Sequence, residues 1–201
     1  LRAQALRALI HRAIKVEEFN FLLKLETELN SINTYWRSWQ DEVELIYAYL
    51  YLRLDQIEKS KTFLESSRKY SLKGDDTQSS IVNEESLFLS AVVELVSTNY
   101  QRAFILIKLL LESYPDSDRL SDYYFWYGVL QYEIEKNSMQ TIMAMRQVDL
   151  NGNRADDRLF LLAKVNHDKQ NWAAVNLSLL NLKKLYPESQ FLEEGLYLQS
   201  Q

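Results

Sequence analysis

Two stretches of this chain say nearly the same thing: "LESYPDSDR", Leu111–Arg119, and "KKLYPESQF", Lys183–Phe191. They hold its only prolines, Pro115 and Pro187, 72 residues apart (187 less 115). Proline cannot continue a helix and disfavours helical geometry in the residue before it, so each Tyr-Pro ends the helix that runs into it. The acid and serine that follow are residues that can cap the next helix and favour its positive end. A turn of this kind, used twice, points to a repeated unit, and 72 residues is two units of about 36.

The text between the turns reads as helix. In "NYQRAFILIKLLLESYP", Tyr100, Ala103, Ile107 and Leu110 fall on one stripe, and in "NWAAVNLSLLNLKKLYP" Trp172, Val175, Leu179 and Leu182 do. Spacing of three and four is the period of an amphipathic helix. Each segment follows an asparagine, Asn99 or Asn171, which suits an N-cap. Four glycines and two prolines are too few turn formers for a many-stranded β protein, so the chain is expected to be all-α. A small residue also recurs midway along the first helix of each pair, with an apolar residue nine positions on. Ala48 is followed by Ile57, Ala91 by Tyr100, and Ala163 by Trp172. Gly128 takes the small position in "YYFWYGVL", but Asn137 stands nine on. That pair departs from the pattern, and the register of its second helix, around Met139–Val148, is left open.

A repeat of this length with these residues resembles the tetratricopeptide repeat, over residues 36–201. The Tyr-Pro-acid-Ser turn is followed 13 residues later by a small residue, Gly128 after Pro115 and Ser200 after Pro187. In this it is similar to the repeats of bacterial envelope proteins, among them the lipoprotein of the β-barrel assembly machine and the periplasmic coordinator of the Tol–Pal system. The resemblance implies a right-handed superhelical solenoid of antiparallel helix pairs, about five pairs plus a terminal helix. It is expected to form one domain over residues 1–201. Residues 1–35 read as a further pair, Leu1–Ile14 and Glu17–Ile32, whose register the pattern does not set. Loops are expected at Asn33–Tyr35, Ser71–Ser80, Asp116–Arg119 and Asn151–Asp157. Ser71–Ser80 is the longest and a candidate hinge.

Chemistry is hard to find in the text. With no cysteine, disulfides, thiol catalysis and thiolate metal sites are excluded. The two histidines, His11 and His167, lie in no metal-binding spacing. His167–Asp168 is read as a solvated helix end, since neighbours on a helix do not face each other. "DLNGNRADDRLF" opens like a calcium loop at Asp149, Asn151 and Asn153, but Arg154 replaces the required glycine and Phe160 the closing glutamate. There is no Gly-rich phosphate loop and no nucleophile elbow. The expectation is a non-enzyme without cofactor or metal. A net charge of −5 argues against a nucleic-acid partner. No apolar run approaches the ~20 residues of a membrane span, so direct membrane insertion is not expected. The chain opens on Leu1 rather than Met, as a trimmed or processed fragment does.

In the resembled solenoids a partner lies on the concave face, built from the first helix of each pair. In the repeat register that the small residue fixes, position two reads Glu42, Glu85, Asp122, Asp157 and Glu194, all acidic. Position five reads Leu45, Phe88, Phe125, Phe160 and Tyr197. Position nine reads Tyr49, Val92, Val129 and Lys164, and position twelve Leu52, Leu95, Tyr132 and His167. On the structural reading, a first-turn acid stabilises a helix with no partner at all, and the phenylalanines at position five pack against the neighbouring repeat's first helix. The functional reading is an accessible aromatic stripe with an acidic rim, fit for a partner protein segment that carries basic residues. The expected contacts are Glu85, Phe88, Val92, Asp122, Phe125, Val129, Tyr132, Asp157, Phe160, Lys164 and Tyr197. The resemblance implies a protein-interaction scaffold in a bacterial envelope assembly, periplasmic or envelope-associated. The alternative is a cytoplasmic regulatory or chaperone-like module holding a client peptide. Glycan binding at Tyr123–Tyr127 would need polar groups beside exposed rings, and that segment has few.

Overall fold

The computed structural model describes residues 20, 23, 24, 26, 40–71 and 77–200. Among the described residues all regular structure is helical and none is strand. The helices are α1 (Gln40–Arg53), α2 (Ile57–Ser71), α3 (Thr77–Val96), α4 (Tyr100–Ser113), α5 (Leu120–Glu135), α6 (Ser138–Met145), α7 (Ala155–Asp168), α8 (Trp172–Leu185) and α9 (Leu192–Ser200). The chain divides into two compact units, Leu1–Ser97 and Thr98–Gln201. In the first, α1 packs on α2 and both pack on α3. In the second, each helix from α4 to α9 packs on the next, and α5 and α9 also touch α7.

Four helix ends are built alike. Asp55, Thr98, Lys136 and Gln170 all have positive φ, between 50° and 58°, and each stands two residues before a new helix. The left-handed residue lets the chain reverse while still satisfying the last carbonyls. Gln56 N–H donates to Tyr51 O at 2.8 Å and Asn171 N–H to Asn166 O at 2.9 Å, each reaching five residues back. At the irregular pair, Asn137 N–H reaches six back, to Gln131 O at 3.2 Å. One residue has been inserted there. Asn137 is therefore not the displaced apolar residue but the N-cap of α6, accepting from Gln140 N–H at 3.2 Å. Asn171 caps α8 in the same way through Ala174 N–H. Asn99 holds the N-cap position of α4 without a side-chain cap bond.

The small residues lie where helices cross. Ala48, Ala91 and Ala163 are fully buried. Ser60 Oγ of α2 donates to Ala48 O at 2.7 Å, and Thr141 Oγ1 of α6 to Gly128 O at 3.3 Å. At Gly128 a Cβ would stand 3.2 Å from Ala144 Cβ and run into Met145 Cε, so α5 and α6 cross closely at this residue.

The two Tyr-Pro turns superimpose bond for bond. Tyr114 and Tyr186 donate N–H to Leu110 O and Leu182 O, both at 2.9 Å. Ser117 and Ser189 do not cap the next helix as expected. Their hydroxyls accept from the N–H two residues on, Arg119 at 3.0 Å and Phe191 at 3.3 Å, which tightens the turn ahead of the helix. The N-cap of α5 is Arg119, which makes no side-chain cap bond.

The loop expected at Ser71–Ser80 is shorter than that: Ser71 closes α2, Thr77–Ser80 already belong to α3, and 72–76 lie outside the described residues. Ala155–Asp157 likewise belong to α7 rather than to the loop before it. The Leu1–Ile14 helix and the Asn33–Tyr35 loop lie outside the described residues, as does Glu17–Ile32 except for Asn20, Leu23, Lys24 and Glu26, which are helical. No helix among the described residues is long and apolar enough to cross a membrane.

Candidate functional site

The first helices of the pairs are α1, α3, α5, α7 and α9, and they fall into different units. In the first unit, Glu85, Phe88 and Val92 follow one another along α3 at helical spacing, all half-buried. In the second, Asp122, Phe125, Val129 and Tyr132 share one face of α5, and Asp157, Phe160 and Lys164 share one face of α7.

Arg154, the residue before α7, joins these two faces. Its guanidinium lies 5.3 Å from the Phe125 ring centre and 5.2 Å from that of Trp126. It also stands 4.0 Å from Asp122 Oδ1 and donates to Asp157 Oδ2 at 3.4 Å. A cation over a ring contributes ~0.5–2 kcal/mol according to burial, and half-exposed ion pairs less, so the rings hold Arg154 more firmly than the acids do. Burial pushes the Asp157 carboxyl above the ordinary aspartate value; Arg154 pulls it back and Asp156 adds to the rise.

The expectation of accessible rings fails at three of its positions. Phe125 and Phe160 are each only 6% exposed, and Tyr132 is buried. Phe125 and Tyr132 pack with Ala144, Met145, Val148 and Val165, and Phe160 with Ala163, Val175 and Leu182. What remains of their outer faces is covered by the protein's own cations. Lys136 Nζ sits 4.8 Å from the Tyr132 ring and Lys164 Nζ 5.7 Å from that of Phe160, whose other neighbour is Phe191, stacked at 4.8 Å. Nor is the acidic rim open on α5 and α7, because Asp122 and Asp157 share Arg154. Tyr197 alone of the α5, α7 and α9 rings at position five is exposed, at 67%. Asp122, Val129, Asp157 and Lys164 are half-buried. The Tyr123–Tyr127 segment offers no sugar platform: Tyr123 and Phe125 are buried, and Tyr127 is stacked on Phe104.

His167 is not the solvated end that its position implied. Its ring meets Trp172 edge-on at 5.2 Å, and its Nε2 is buried without a hydrogen-bond partner. Asp168 stands 3.9 Å from Nδ1, while its other oxygen accepts from Tyr132 Oη at 2.6 Å. Burial, with this bond to Asp168, raises the Tyr132 phenol well above its ordinary value.

Arg154 is the residue that sequence reasoning passed over. Its signal was present: a cation three residues ahead of Asp157, closing an otherwise polar loop. Asp122, Arg154 and Asp157 thus form a charged bridge between two consecutive first helices, and α7 carries Lys164 two turns further on. No protein-family model matches the chain, and no curated protein sequence matches it.

Proposed function

We propose that the chain is a tetratricopeptide-like α-solenoid and a non-catalytic scaffold. On this reading it holds a segment of a partner protein against its first-helix face in a bacterial envelope assembly. The repeat reading is supported by two hydrogen bonds that each span 36 residues, Tyr132 to Asp168 and Tyr186 Oη to Leu150 O. The interaction reading is carried by the Arg154 bridge, which ties α5 to α7 through Asp122 and Asp157, while Lys164 lies over the Phe160 ring further along α7. Side chains already held in place lose little entropy when a partner arrives, and alternating charges select its register and speed association. The partner segment on this reading is polar and of mixed charge, not the basic strip that an open acidic rim would take. The envelope assignment rests on the resemblance of the Tyr-Pro turns.

The test is affinity capture from envelope and cytoplasmic fractions with the wild-type chain and with Asp122→Lys and Lys164→Glu. A partner captured from the envelope by wild type and lost with both variants, at unchanged melting temperature, supports the reading. A partner retained equally by both overturns it.

A further inference from the structure

Helices α4 and α8 are the same element 72 residues apart, Tyr100–Ser113 and Trp172–Leu185, and α5 and α9 open at Leu120 and Leu192. Their buried residues correspond: Ala103, Ile107 and Leu110 in α4, Val175, Leu179 and Leu182 in α8. At three corresponding places the two copies differ in kind. Between α4 and α5, Tyr123 is fully buried, and Phe104 stacks on Tyr127 with ring centres 5.4 Å apart. Their counterparts are Gly195, Asn176 and Gln199. Three aromatic side chains have been replaced by none and two short amides.

A cavity of about 390 Å³ opens there between α8 and α9. That lies within the roughly 300–1,000 Å³ of sites that hold small groups. Its walls are mainly leucine, among them Leu179 of α8 and Leu196 of α9, and Asn176, Gln199 and Lys183 supply the polar groups. Gln199 Nε2 donates to Asn176 Oδ1 at 2.8 Å, so the two amides form one polar pair on its lining. Gly195 also lines it, and a Cβ there would stand 2.8 Å from Leu179 Cδ2, the end of a leucine side chain.

We infer that the α8–α9 groove binds an aromatic side chain of a partner polypeptide, tyrosine best, with a carboxylate beside it facing Lys183. The groove lacks the aromatic side chains that the corresponding place in this unit carries. Its leucine walls take a ring, the Asn176–Gln199 amides can exchange hydrogen bonds with a phenol hydroxyl, and the exposed Lys183 supplies the charge. This site is distinct from the first-helix face and does not rest on the reading proposed for it.

The probe is a blocked tetrapeptide, acetyl-Ala-Tyr-Asp-Ala-amide, titrated into the ¹⁵N-labelled 201-residue chain. Saturable shifts are expected at the amides of Gly195, Leu196 and Gln199. Replacing the peptide tyrosine by alanine should weaken binding at least about tenfold, as loss of an interface anchor does. Replacing its aspartate by lysine should weaken it about two- to fivefold, as for an exposed ion pair. Asn176→Phe with Gln199→Tyr rebuilds the α4–α5 stack and should abolish binding without lowering the melting temperature. Should that variant fail to fold, Lys183→Glu alone should reverse the preference for aspartate over lysine in the peptide. The inference is overturned by tyrosine and alanine peptides that bind alike, by shifts confined to other residues, or by no shift at any peptide concentration. It is also overturned by peptide-free shifts at these amides that grow with protein concentration, which would give the groove to a second copy of the chain.

Discussion

Gly128→Leu tests the helix crossing on which the second unit closes. A Cβ at this site meets three things: Met145 Cε, which it overlaps; Ala144 Cβ at 3.2 Å; and Thr141 O at 3.5 Å. The methionine methyl is the far end of a flexible side chain and can move, and Ala144 need give only a few tenths of an ångström. Gly128→Ala therefore spends its strain against the ~1 kcal/mol that alanine gains over glycine inside a helix, and should fall within about 1 kcal/mol of wild type. Leucine adds three more carbons to a buried crossing. Overpacking costs ~1–3 kcal/mol, and helix propensity returns somewhat under 1 kcal/mol of that. The net loss is about 1–2 kcal/mol, or roughly 5–10 °C in melting temperature for a unit of this size. Thermal and urea unfolding, followed by far-ultraviolet circular dichroism, measures it. Met145→Ala removes the side chain that leucine strikes, so the two substitutions together should cost less than their sum by on the order of 1 kcal/mol. An unchanged melting temperature for Gly128→Leu, or costs that simply add, would refute a close crossing at this residue.

Phe125→Ala should cost ~3–5 kcal/mol of stability, as for a core phenylalanine, since the ring is sealed by Tyr132, Met145, Val148 and Arg154; a loss under 1 kcal/mol by urea unfolding would return the ring to an open groove. Arg154→Met should cost ~1–2 kcal/mol near neutral pH. The folded Asp157 carboxyl lies above its unfolded value, so its contribution is full at lower pH and is lost as pH rises through the folded value. Removing Arg154 widens that loss, and unfolding curves at acid and neutral pH should show the variant penalty larger at neutral pH. Gln170→Gly should stabilise by ~0.5–1 kcal/mol, because a positive φ of 55° strains glutamine and not glycine; a lower urea midpoint would contradict this. At alkaline pH the raised phenols must ionise when the chain unfolds. Stability held below pH 10 should fall as pH rises through the folded values, about 12 for Tyr51 and higher for Tyr132, and Tyr132→Phe should flatten that decline in a pH series of melts.

What could be read without coordinates was what local sterics and spacing decide. Tyr114-Pro115 and Tyr186-Pro187 had to end helices, because proline forbids their continuation whatever surrounds them. Apolar spacing put Ala103, Ile107 and Leu110 on one face, and a small residue at Ala48, Ala91, Gly128 and Ala163 marked a close crossing. Periodicity states which side chains share a face, but not what covers that face. Phe125 and Phe160 were legible as a stripe; that they are core followed only when α6 and α8 packed beneath them and Arg154 and Lys164 settled above. Arg154 itself reaches Asp122 across a sequence separation of 32, a contact that no spacing rule encodes. The inserted residue at Lys136 was visible only as a misfit, because a non-glycine residue with positive φ depends on the helices that hold it there. The exchange of Tyr123 for Gly195 stands in the sequence for anyone who aligns the two copies. Only the packing of α8 against α9 made it a cavity, because empty space belongs to the arrangement of neighbours and to no single residue.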